Sequence, residues 1–183
     1  MFGRKAREIG SGLLYGTQSL LIGHLFLTYA YDTGDAYGVS MMPTMDSSGE
    51  FLIMSKKYRR GRGVQVGDMV SFKHPVLAES MGRSVKRVVG MPGDFVLRNT
   101  PGAGIYREEE MLQVRGKTIQ IKVPEGHCYV AGDNLKWSRD SRIFGPLPLA
   151  LIRGKVVAGL KRPSGTLFPA IKKYHNGLQE VDE

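Results

Sequence analysis

Hydrophobic and polar positions divide the chain into two textures. From Gly12 to Tyr31 twenty residues run without a formal charge. As a helix this run would be about 30 Å long, the thickness of a hydrocarbon core. Thr17, Gln18, Ser19, His24 and Thr28 dilute it. Arg4, Lys5 and Arg7 precede it, and Asp32 and Asp35 follow. That asymmetry keeps an N-terminus on the cytoplasmic or matrix side and sends the remainder across. The pattern predicts a basic flank over 1–11 and one membrane anchor helix over 12–31. A cleaved signal is the first alternative, but it lacks a small-residue cleavage pattern before Tyr31. A mitochondrial presequence is the second; it suits the basic, acid-poor start and not the long apolar run. Gly12/Gly16 and Ser19/Gly23 are small residues four apart, a spacing that seats a neighbouring helix.

After Glu50 the texture changes to short runs of strand formers between turn signals. Strands are predicted over Phe51–Met54, Asp68–Lys73, Arg83–Val89, Asp94–Leu97, Thr118–Val123, His127–Ala131 and Ile152–Leu160. Pro92-Gly93 suits the central positions of a type II turn, which needs φ > 0 at the second. Residues 99–110 read as an exposed insertion. There is no strand–helix alternation, phosphate-cradling glycine loop or internal repeat. The expected fold is mostly β, an antiparallel coiled sheet over 32–160. The C-terminal tail, 161–183, has few apolar runs and is expected to be ordered only in part.

Length and charge narrow this picture little. A chain of 183 residues supports one domain with a real core. The net charge of +9 is compatible with an anionic partner, yet its densest cluster, Lys56 to Arg62, reads as a solvated loop. Cys128, the single cysteine, lies in an apolar strand and reads as a buried thiol. The four histidines have no metal-ligand spacing, so no metal and no cofactor are expected.

Candidate chemistry lies in three stretches. The first is Gly38-Val-Ser-Met-Met-Pro-Thr-Met45. Pro43 pushes Met42 out of helix, which puts Ser40 on a strand edge or turn. The second is Lys86-Arg87. Strand alternation sets Ser84, Lys86 and Val88 on one face and Val85, Arg87 and Val89 on the other, without saying which is buried. If Lys86 is buried, desolvation favours its neutral amine, a general base for a serine hydroxyl. The third is Gly132 to Gly145, a polar loop between strands. Ser138 could orient an amine there, and an Asp140–Arg142 pair could fix the loop.

In this order the three stretches resemble the boxes of type I signal peptidases. Ser40, Met42, Pro43 and Thr44 match the serine box. Lys86-Arg-Val-Val-Gly-Met-Pro-Gly-Asp94 matches the lysine box. Gly132-Asp133-Asn134, Ser138, Asp140, Ser141, Arg142 and Gly145 match the third. The resemblance covers about residues 12–160. It is nearest to the mitochondrial inner membrane branch, in its catalytic subunit 1 form, through Ile121–His127 and Gly132–Leu135.

The resemblance implies a membrane-bound serine endopeptidase with a Ser-Lys dyad. Ser40 would be the nucleophile, Lys86 the general base, and the Ser40 backbone N–H an oxyanion donor. Ser138 would orient the lysine, Asp140 and Arg142 would hold the loop, and Met41 would seat the domain against substrate or membrane. The implied substrates are precursors with cleavable sorting segments, bound extended. The implied location is the mitochondrial inner membrane, with the domain in the intermembrane space, paired with a homologous second subunit and binding no nucleic acid. Two departures stand out: Gly38 replaces a hydroxyl residue that many bacterial members use as a second oxyanion donor, and Leu135 replaces an arginine. Three alternatives stay open: a bacterial exported signal peptidase, a self-cleaving Ser-Lys repressor, and a non-catalytic anchored assembly subunit. The repressor would need a helix-turn-helix where the apolar run stands.

Overall fold

A computed structural model describes residues 2–47, 50–76, 82–98, 120–161 and 169–177. The predicted insertion at 99–110 and the first two residues of the strand expected over 118–123 lie outside them.

The N-terminal run folds as one helix, α1 (Phe2–Ala30), which takes in the basic flank as well. Tyr31 does not close it; it opens β1 (Tyr31–Ala36). Among the described residues, no helix is long and apolar enough to cross a membrane. The polar residues that dilute the run account for this. The helix nonetheless leaves Leu13, Leu14, Leu20, Leu21, Ile22 and Phe26 exposed.

The strands are β2 (Glu50–Ser55), β3 (Met69–Lys73), β4 (Arg83–Gly90), β5 (Phe95–Leu97), β6 (Gln120–Lys122), β7 (His127–Ala131), β8 (Leu147–Pro148), β9 (Ile152–Lys161) and β10 (Ala170–Lys173). A four-residue helix, α2 (Ser141–Phe144), interrupts the third box. All strand pairs are antiparallel, in the order β1-β2-β9-β3-β4-β7-β8, with β10 also on β9 and β5 paired with β6 apart. The mostly β, curled antiparallel sheet expected from the strand formers is thus what forms. The turn after β4 also takes the expected shape: Gly93 has φ 93 and the Asp94 N–H reaches the Met91 carbonyl at 3.0 Å.

The described residues bury three clusters, the smallest being Val96, Val123 and Tyr129. Val70, Phe72, Val88, Cys128, Val130, Leu147 and Ile152 form one. Within it burial pushes the Cys128 thiol up to about 12. The second is rich in methionine: Met41, Met45, Leu52, Met54, Met69, Val156 and Tyr174. Tyr174 follows β10 and donates to the buried Glu50. Part of the tail therefore belongs to the core.

Candidate active site

Ser40 lies in a short 3-10 turn, Val39–Met41, directly after β1. Gly38 enters it with φ 113, a conformation that L side chains rarely adopt. Its N–H is engaged with the Ser47 carbonyl at 2.9 Å. Backbone N–H groups at the start of such a turn have no partner inside it, and the Ser40 N–H stands there. Met41 is buried in the methionine cluster, not on an outer face, so it floors the site and does not meet a membrane.

Lys86 comes from β4, paired with Val70 of β3. The face of Lys86, Val88 and Gly90 is the buried one, which answers what alternation left open. Lys86 is only 6% exposed. Its amine reaches Ser40 Oγ at 2.7 Å and the Val85 carbonyl at 2.9 Å. Burial lowers its pKa to about 8, against the opposing pull of the Asp140 and Asp133 carboxylates.

The third box forms a buried network behind the Ser40 turn. Asp140 is fully buried and bound by Arg142 through two contacts of 2.8 Å, by the Gly132 N–H at 3.0 Å, and by the Arg142 N–H at the start of α2. Burial works against the Asp140 charge, but Arg142 and the Gly132 N–H hold its carboxyl below the usual range. Arg142 also donates to the Leu135 carbonyl at 2.7 Å. That contact is to backbone, so leucine serves it as well as any residue. Ser138 is buried here, but its hydroxyl makes no well-formed hydrogen bond. The hydrogen bond expected from Ser138 to Lys86 is not formed; the Val85 carbonyl takes the amine instead.

Several positioning contacts escaped the reading of the sequence. Asn134 clamps the serine turn: its N–H bonds the Ser40 carbonyl at 3.0 Å and its side-chain amide the Val39 carbonyl at 3.1 Å. Gly132 must be glycine, because a Cβ there would stand 2.2 Å from Ser138 Oγ and 2.5 Å from the Ser40 carbonyl oxygen. Asp133 joins all three boxes. It accepts from Thr44 at 2.5 Å and from Arg87 at 2.8 and 2.7 Å. The signal for these roles was the polar density of 132–134, which does not by itself name partners.

Ser40 and Lys86 line a cleft of about 1100 Å³ between β1 and the start of β4. Met41, Met45, Leu52, Met54 and Val85 give it an apolar lining. His74 lies in it too; burial, then the charges of Lys86 and Arg139, lower its pKa. Among the described residues, β1 pairs only with β2, and β4 meets β7 only from Arg87 onward. Backbone edges at 31–36 and 83–86 thus flank the cleft unpaired. No group of three or more potential metal ligands occurs among the described residues.

This constellation is of the kind used for acyl transfer: a hydroxyl, a desolvated amine and an extended groove. Residues 13–160 match the family described as signal peptidase, peptidase S26, and the chain belongs to that family. It is 38% identical over 144 residues to the mitochondrial inner membrane protease subunit 1 of Saccharomyces cerevisiae, covering 79% of this chain and 75% of that one. It is 35% identical over 136 residues to the protein of the same name from Schizosaccharomyces pombe, covering 74% and 76%. To mitochondrial inner membrane protease subunit 2 of Danio rerio it is 32% identical over 122 residues, covering 64% and 57%.

Proposed function

We propose that this chain is a Ser-Lys endopeptidase that removes sorting segments from precursors delivered to the mitochondrial intermembrane space. The observation that carries the reading is the 2.7 Å approach of a buried Lys86 amine to Ser40 Oγ. A neutral amine has one lone pair. With an N–H held by the Val85 carbonyl, the amine keeps a lone pair within reach of the serine proton. Ser40 Oγ attacks the scissile carbonyl while Lys86 takes its proton and then delivers it to the leaving amine. Water, deprotonated by the same amine, releases the acyl group from Ser40. The Ser40 N–H stabilises the oxyanion. Gly38, its own N–H occupied, is not the second donor. Ser138, Asp140 and Arg142 support the site as one buried loop.

The open edges of β1 and β4 suit an extended substrate added as a strand. The names of the relatives point to the inner membrane and to assembly with a second subunit. The apolar side chains of α1 support membrane attachment, and the basic residues before that run with acidic ones after it support a β domain on the intermembrane-space side. Gly12, Gly16 and Gly23 leave open space at their Cβ positions, which suits a partner helix packed alongside.

The test is cleavage of a sorting-signal precursor by detergent-solubilised full chain. Ser40→Ala and Lys86→Met should each lower the rate by about a thousandfold or more, with unchanged circular dichroism. Wild-type turnover in either variant would remove that residue from the mechanism. If wild type is inactive alone, co-expression with the second subunit should restore cleavage; no cleavage by the pair would defeat the proposal.

A further inference from the structure

The cleft also holds a buried hydroxyl that the dyad does not use. Ser71 sits in the middle of β3, opposite Val85 on one side and Gly154 on the other. Strand alternation separates it from Val70 and Phe72, which enter the first core, and groups it with Met69 of the methionine cluster. It lines the same cleft as Ser40 and Lys86. Ser71 is 1% exposed, and its Oγ has no hydrogen-bond partner among the described residues. A buried hydroxyl left unpaired is destabilising. Alanine would fill nearly the same space without that cost. Buried polar groups without partners are exceptions, and a substrate cleft is a place where the missing partner arrives with the ligand.

We propose that Ser71 is a specificity-determining residue, pairing its hydroxyl with a neutral hydrogen-bonding side chain of the substrate close to the cut. This rests on the peptidase reading above. An extended substrate sends alternate side chains into the cleft, so one of them meets the β3 wall. Met41, Met45, Leu52 and Met54 surround that end with apolar surface. A charged side chain would lose more hydration there than one hydroxyl returns. A neutral polar one gains a partner that its apolar isostere leaves unmet.

The experiment compares kcat/KM of the solubilised full chain, with its second subunit if required, on precursors carrying Ser/Ala or Thr/Val pairs. The pairs are placed in turn at each of the three residues before the cut. Wild type should favour the hydroxyl member at one of these positions by about tenfold, the equivalent of ~1.4 kcal/mol. Ser71→Ala should bring that ratio close to one by losing rate on the hydroxyl substrate alone. Ser71→Cys, a weaker donor of similar size, should give an intermediate ratio and provides the readout should alanine lower the melting temperature. A purely structural role would slow both members of a pair equally and leave the ratio untouched. A ratio that is the same in wild type and both variants at every position overturns the proposal. Ser40→Ala separates the two failures: if it cleaves like wild type, the peptidase reading falls; if it is inactive and the ratios do not move, only the role of Ser71 falls.

Discussion

The burial that the proposed role of Lys86 as a base depends on is also a liability to the fold. Its pKa falls from 10.5 to about 8 chiefly through desolvation. The neutral fraction grows as pH rises through that value, so kcat/KM should climb up to about pH 8 and level off above it, while the free serine adds no second limb. The stability effect has the same sign. Between about pH 8 and 10.5 the unfolded chain holds a proton that the folded chain has lost, so this lysine's cost is full below pH 8 and fades as pH rises. Lys86→Met should therefore raise stability by about 1–3 kcal/mol at pH 7, with the gain shrinking above pH 8, as denaturant titrations at two pH values would read. At this scale the sequence was partly legible. Ser40 and Lys86 stood out because their neighbours match a box, and alternation left only the buried face undecided. Ser71 and His74 did not, since a serine or histidine inside an ordinary strand carries no local mark of what it faces.

Among the elements, the turn of Ser40 and the strand of Lys86 are held in register by a loop distant in sequence. Asp133 is the shared post, joined to Thr44 on one side and Arg87 on the other. The Arg87–Asp133 pair is largely shielded, with side-chain exposures of 17% and 15%. Asp133→Ala would strand the guanidinium and free the Thr44 hydroxyl. It should cost about 2–4 kcal/mol and lower kcat at a temperature where the variant is still folded, measured beside its thermal melt. Strands β2, β3, β4, β7 and β9 were legible because β-branched and aromatic runs sit between turn residues. β1 was not: Tyr-Asp-Thr-Gly-Asp-Ala reads as a polar flank, and only pairing with β2 makes it a strand. β10 was hidden likewise by Lys172 and Lys173. The 3-10 turn at Ser40 depends on Gly38 and on the clamp by Asn134, neither of which local propensity reports.

For the whole molecule, strand order was out of reach of the sequence because it is fixed by non-local pairing: β9 joins β2, β3 and β10. The helix α1 leaves Leu13, Leu14, Leu20 and Leu21 exposed. If it is the attachment, Leu20→Lys with Leu21→Lys should release the protein from membranes on alkaline carbonate extraction, with the spectrum of the β domain unchanged. Retention in the pellet would place the attachment elsewhere. The C-terminal segment has a different bearing on the molecule. Tyr174 packs in the methionine cluster below Ser40, Asn176 bonds the Val66 carbonyl and Asp68, and the Gly177 N–H reaches the Gly67 carbonyl beside Arg87. These residues thus finish the cleft floor and, through the Gly67 carbonyl, steady the Arg87 that neighbours Lys86. A break before Tyr174 would therefore open the floor beneath Ser40 while leaving all three boxes intact.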